Sequence, residues 1–233
     1  MLAFPTTPVD PRIFFEQSVP ALFAEIVLDD AERALELRVG VVLIPEDRPD
    51  AEGQGGEWTL HLADGDLAVL VGRAPDCDLT IVQSVADWRS ALWEGRPRLI
   101  ADAVAMIVSS GPEALRPPES RDNTGSSVGH PTALKGLSDL QGLIEAVIAD
   151  EADDGGGAED WRIGIHLGPG PIPESPQATI RLGAEQAEAI RRRELHPVEA
   201  LITGQLRLEG DLGLILQLQA VAMMMSTSKP TRD

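Results

Sequence analysis

The stretch PVEALITGQLRLEGDLGLILQLQAVAM, Pro197 to Met223, decides how this chain is read. Leu206 and Leu208 stand two apart, so in an extended chain they share one face. Glu209-Gly210-Asp211 follows. Gly210 takes a positive φ without a Cβ clash, so a sharp turn fits there, and Asp211 is placed to cap whatever comes next. Two readings of the next segment stay open. Leu212, Leu214, Leu216 and Leu218 keep a period of two, whereas Leu212, Ile215, Leu216, Gln219, Ala222 and Met223 share one helical face.

Upstream, Ala178-Thr179-Ile180 reads as a strand, a helix ends near Glu194-Leu195, His196-Pro197 forms an x-Pro turn, and Gly204 precedes the last strand. Taken in order, these features resemble the C-terminal end of the sterol carrier protein two family, small α+β modules whose sheet and helices enclose a tunnel for lipids. The resemblance favours a helix after Asp211. It implies a mostly antiparallel sheet covered by helices.

The plan occurs a second time. Leu143 to Asp150, the loop EADDGGGAED and a strand opened by Trp161 have counterparts in the first half. These are the alternating run Leu35, Leu37, Val39, Val41, Leu43, a polar loop, and Trp58 with TLHL. Asp78-Leu79-Thr80-Ile81 matches Ala178-Thr179-Ile180, with 17 residues from Thr80 to Pro97 and 18 from Thr179 to Pro197. Between these landmarks lies a helix in each copy. Ser84 caps the first, Val85, Trp88 and Leu92 face inward, and Gly95 ends it; Ala184, Ala187 and Ile190 face inward in the second.

The copies differ at their ends. The first opens on a helix expected from about Asp10 to Leu28, with Phe14, Phe15, Val19, Leu22, Phe23 and Ile26 as its apolar stripe. The second offers only Ala133 to Leu140 there. The first closes with LIADAVAMIVSSGPEAL, a strand-like run without the Gly-Asp turn. The expected division is a degenerate copy over 1–112, a linker over 113–132, a second copy with intact strand-turn-helix over 133–226, and a polar tail over 227–233. We expect the copies to pack as a pseudo-dimer, because a sheet face left uncovered exposes apolar surface at about 25 cal/mol per Å².

Composition narrows the function classes. The chain has 233 residues and a formal charge of -19, with 8 basic against 19 acidic residues up to Pro112 and 11 against 19 after it. That charge argues against nucleic acid and anionic membrane surfaces. Tyr is absent, and four Phe and four Trp leave an interior filled mainly by aliphatic side chains, which suits a hydrocarbon ligand. The lone Cys77 excludes an internal disulfide and fits a reducing compartment. No apolar run reaches membrane-spanning length and no signal peptide opens the chain, so a cytoplasmic setting is expected.

Catalytic chemistry has no support. His61, His130, His166 and His196 show no metal-ligand spacing, and no metal or cofactor is expected. His61 and His166 each fall on the strand face opposite a tryptophan, as exposed histidines or, if the copies face each other, as a pair. Carboxylates flanking Cys77 oppose a nucleophilic thiolate. Arg191, Arg192 and Arg193 read as a solvated helix end rather than an anion site.

The resemblance implies non-catalytic binding, and transfer, of a sterol, fatty acyl chain or isoprenoid in an aliphatic tunnel. Its walls are expected in the second copy: Ile180, Ile190, Leu201, Leu206, Leu208, Leu214, Leu218 and Met223, each of which also reads as plain core. The alternative is an interaction or scaffold subunit that kept the fold and lost the cavity. The expected partner is a hydrophobic small molecule, with a protein partner left open.

Overall fold

A computed structural model describes residues 4–46, 54–97, 140–149, 160–192 and 194–216, together with 100, 102, 104 and 105. Alternation of Val39, Val41 and Leu43 with Arg38, Gly40 and Val42 makes β1 (Leu37–Ile44) a two-faced strand. β2 (Gly56–Ala63) pairs antiparallel with it and sets Trp58 opposite Val41. At Asp64 and Gly65 the chain takes φ values of 53° and 79° and reverses into β3 (Asp66–Val71), a strand the sequence reading did not include. Two successive positive φ values are the hairpin geometry that Asp-Gly favours.

β4 (Leu79–Ser84) returns parallel to β1. With β5 (Gly142–Ala149), β6 (Trp161–Leu167), β7 (Ala178–Gly183) and β8 (Leu206–Gly210) it completes one eight-stranded sheet, ordered β3-β2-β1-β4-β6-β5-β7-β8. The sheet is mixed: β1 with β4 and β5 with β7 run parallel, and the other neighbouring pairs run antiparallel.

The two halves join through their strand edges. β1 lies between antiparallel β2 and parallel β4, and β5 lies between antiparallel β6 and parallel β7. Beyond β7 comes antiparallel β8; beyond β4 comes antiparallel β6. β6 therefore holds beside β4 the place that β8 holds beside β7. The strand expected at the end of the first half is not formed where the chain is described, since residues 100, 102, 104 and 105 are helical. With β4's outer N–H and C=O groups already paired to β6, that run packs instead by its side chains, Val104 and Ile100 lying against two core clusters.

Helices cover the face that carries Trp58. The N-terminal helical stretch runs through α1 (Pro11–Ile13), a π-wound turn Phe14–Ser18 and α2 (Val19–Phe23). Asp10 caps it by accepting from the Arg12 N–H at 2.7 Å. Pro20, with no N–H to return to the preceding turn, accompanies the widened winding. The helix ends at Phe23 rather than Leu28, because the Glu25 and Ile26 amides fall back on i−3 carbonyls; a separate turn, α3 (Asp30–Arg33), follows. α4 (Val85–Trp93) is capped by Ser84, whose Oγ accepts from the Asp87 N–H at 2.9 Å. It buries Val85, Trp88 and Ala91.

In the second half, α5 (Ala184–Arg191) buries Ala187, and α6 (Pro197–Ile202) buries Ala200. Ala184, expected to face inward, is exposed because it opens the helix directly after the Gly183 cap. After Gly210, at φ 83°, the segment 212–216 is helical, which resolves the open reading of the Leu-rich stretch. The Asp211 carboxylate accepts from the Leu214 N–H at 3.2 Å, as its cap. Asp211→Ala is expected to cost about 1 kcal/mol, measured as a lower urea midpoint at unchanged slope. An unchanged midpoint would refute the cap.

The aromatic residues are unevenly spread. Phe4, Phe14, Phe15, Trp58 and Trp88 form the first half's core with Val41, Leu43 and Val85, and Trp93 packs against it. A second cluster joins Ala91 of α4 to Ile148, Trp161 and Ala187, tying the halves together. The third, Leu140, Ile144, Leu167, Ala178, Leu214 and Ile215, is wholly aliphatic and lies in the second half.

Candidate ligand-binding face

Strand register assembles the aliphatic face. Ile180 of β7 lies opposite Leu208 of β8 and Ala146 of β5, and Leu182 opposite Leu206 and Ile148. Ile144, Ile165 and Leu167 extend the same face across β5 and β6. The 212–216 helix lays Leu214 and Ile215 on it. Gly142 makes that approach feasible. A Cβ at Gly142 would come within 2.6 Å of Leu214 Cδ2 and 2.3 Å of Gln177 Oε1, and its φ of 149° is one that side-chain-bearing residues rarely adopt.

Three of the expected wall residues meet here. Leu214 is buried, with Ile180 and Leu208 half-buried against the same cluster. Leu206 is half-buried farther along β8, and Ile190 is half-buried on α5. Leu201 points outward on α6 and is 42% exposed. Leu218 and Met223, like the methionine run that follows, lie outside the described residues. Sequence reasoning missed Ile144, Leu167, Ala178 and Ile215. The first three could have been found from the period-two pattern of their strands; Ile215 lies on the helical face read from the sequence, but Leu212 and Leu216 of that face are exposed and the helix buries Leu214 beside Ile215 instead.

Polar chemistry is concentrated elsewhere. Where β4 meets β6, the Arg73 guanidinium donates from Nε to Thr80 Oγ1 and from Nη2 to the Gly170 carbonyl, each at 2.8 Å. Nη2 also faces His166 Nδ1 at 3.4 Å. His166 is buried rather than exposed, and its partner is Arg73; His61 lies instead beside Glu36, at 3.8 Å. Burial first, and then the Arg73 charge, hold the imidazole below its usual pKa. With a guanidinium donor before it, Nδ1 acts as the acceptor.

Cys77 is also buried there, and its thiol is pushed above the usual range. Burial is the largest cause, followed among the raising effects by Asp76; the Thr59 hydrogen bond and the Arg73 charge work against it. A thiol held protonated is a poor nucleophile. Among the described residues no group of His, Cys, Asp and Glu could hold a metal ion. Arg191 pairs with Glu188 at 2.5 Å and Asp102 at 2.7 Å, and Arg192 with Glu188 at 2.6 Å, pulling the Glu188 carboxyl down to about 2. Those two guanidinium groups are engaged by carboxylates of the chain itself.

No helix among the described residues is long and apolar enough to cross a membrane. Residues 131–223 match the model of the SCP-2 sterol transfer family. Among solved structures, sterol carrier protein 2 like 2 of Aedes aegypti is 23% identical over 39% of this chain and 93% of its own, with a TM-score of 0.27. Its palmitated form is 20% identical over 42% and 95%, at 0.26. The apo form of sterol carrier protein 2 of Yarrowia lipolytica is 11% identical over 43% and 80%, at 0.30. No curated protein matched the chain.

Proposed function

From the match of residues 131–223 to the model of the SCP-2 sterol transfer family, we propose that the second half binds an apolar ligand without catalysis. The ligand is a sterol, fatty acyl chain or isoprenoid, held between the β5–β8 face and the helices over it. The observation that carries this reading is the wholly aliphatic cluster of Ile144, Leu167, Ala178, Leu214 and Ile215 with Ile180 and Leu208 beside it. Such a face offers about 0.8 kcal/mol per enclosed CH₂ and asks for no hydrogen bond. Leu214 and Ile215 seal it from the short 212–216 helix, whose displacement from the sheet would open room for a chain.

The first half serves as a structural partner. Its core is aromatic, and it keeps the order β2-β1-β4-α4 that the second half has as β6-β5-β7-α5. That repeated order supports reading 1–112 and 133–226 as degenerate copies of one module. Transfer between donor and acceptor, and a cytoplasmic setting suggested by the single Cys77, belong to the same proposal.

Thermal unfolding with added palmitate, cholesterol or farnesol tests it. Wild type is expected to gain about 2.7 kcal/mol at a hundredfold excess over Kd with at least one of them. Leu208→Trp, which fills the face from β8, should abolish the gain while leaving the unliganded fold intact by circular dichroism. Wild type stabilised by none, and co-purified with no hydrophobic small molecule in native mass spectrometry, would sink the reading in favour of a scaffold role.

A further inference from the structure

The opposite side of the sheet carries a separate groove. By register Val42 of β1, Val82 of β4, Gly164 of β6 and Glu145 of β5 fall in one line across four strands. All four belong to the face turned away from Trp58 and Leu214, since they alternate with Val41, Ile81, Ile165 and Ile144. The segment 172–176 roofs part of this line with Ile172, Pro173 and Pro176, leaving a half-open groove of about 440 Å³. That volume is in the range of small-molecule sites. Three strand spacings make the floor roughly 14 Å long.

The groove exists because the halves join. β1 and β4 supply its apolar end and β6 and β5 the rest, with the centre kept low by Gly164. A Cβ at Gly164 would already stand 3.3 Å from Leu143 Cδ1 and Val82 Cβ, so any larger side chain would occupy the channel. Val42 and Val82 are only half-buried, which leaves their side chains open to an occupant.

Charge selects the occupant. Glu145, Glu174 and Asp87 line the groove against one cation, Arg162. Arg162 is already held by Glu145 at 3.5 Å and Asp160 at 3.6 Å. Glu174 is exposed and makes no ion pair among the described residues. A carboxylate or phosphate head would meet this rim, and a chain of charge -19, with repulsion; an ammonium head would be attracted. We propose that the groove binds a single-chain amphiphile with a cationic nitrogen head, its hydrocarbon lying across Val42, Val82 and Gly164 and its head against Glu145 and Glu174. This is a site distinct from the aliphatic face under the helices.

Titration calorimetry on the full chain, with dodecylammonium and laurate below their micelle concentrations and dodecanol below its solubility limit, tests the proposal together with methyl NMR. At the groove, read from the Val42 and Val82 methyls, dodecylammonium should bind tightest and laurate weakest. Glu174→Lys, on an exposed roof residue, should weaken dodecylammonium about five- to tenfold and leave dodecanol unchanged. Val82→Phe should remove the shifts that both cause at Val42 and leave any at Ile180, Leu208 and Leu214. Laurate shifting the Val42 and Val82 methyls at concentrations as low as dodecylammonium does would overturn the proposal. So would methyl shifts confined to Ile180, Leu208 and Leu214, a result that leaves the function proposed above standing.

Discussion

Replacing Trp58 by alanine is expected to lower the free energy of unfolding by about 4 kcal/mol, the largest effect of any single core truncation in the first half. Trp58 is 1% exposed and lies opposite Val41 on the helix-covered face. Its ring stacks on Phe15 at 4.8 Å and 25°, and its Nε1–H donates to Glu16 Oε1 at 3.2 Å. Nothing nearby can slide in to fill the void, because Phe15 is itself held by Phe14 and Trp88. Gly56 shows how closely the site is fitted. A Cβ there would stand 2.5 Å from the far edge of the Trp58 indole. Trp58→Phe keeps the stacking and loses the hydrogen bond, so it should cost about 1 to 2 kcal/mol. Urea unfolding followed by far-UV circular dichroism measures both; a loss below 1 kcal/mol for Trp58→Ala would contradict the packing argument.

Much of this arrangement was legible because it is local. The alternation of Val39, Val41 and Leu43, the Ser84 cap and the Gly210-Asp211 turn each carry their cause within a few residues, and each is found where the sequence puts it. β3 was legible too, through Asp64-Gly65, and was overlooked. The junction had no such signature. That β4 pairs with β6 depends on both strands having a free edge after the rest of the sheet forms, which no window of sequence reports. Three consequences were therefore hidden: the burial of His166, the helical rather than extended residues after Pro97, and the groove over Gly164. Within the candidate face the division is similar. Ile180 and Leu208 follow from period-two alternation, whereas the exposure of Leu201 depends on how α6 is oriented. That orientation is set by Ala200, the side chain the helix buries, rather than by the larger Leu201 and Ile202.

Arg73→Leu is expected to cost about 3 kcal/mol by loosening that junction. Arg73 lies between β3 and β4 and reaches Thr80 on β4, and His166 and Gly170 in the second half. Thr80 is fully buried and His166 is 3% exposed, so water cannot readily replace the lost donors. Gly40 adds to the confinement, since a Cβ there would come within 2.6 Å of Thr80 Oγ1. The same site makes stability depend on pH. His166 has its pKa lowered from 6.5 by burial and by Arg73, so the unfolded chain takes up a proton first as pH falls. Above about pH 7 the imidazole is neutral in both states and contributes no pH dependence. Below 6.5 the unfolded state gains proton-binding free energy that the folded state gains only at its lower pKa, so stability falls on acidification. Carboxylates titrate at lower pH and are shared with a His166→Gln control. The stability of wild type relative to His166→Gln should therefore decline between about pH 7.5 and about pH 5.5. Arg73→Leu, which removes one of the two causes, should reduce that decline. A wild-type difference that is flat across this range would mean that His166 is protonated as readily in the folded chain as in the unfolded one, and would remove the basis for a neutral, Arg73-facing imidazole.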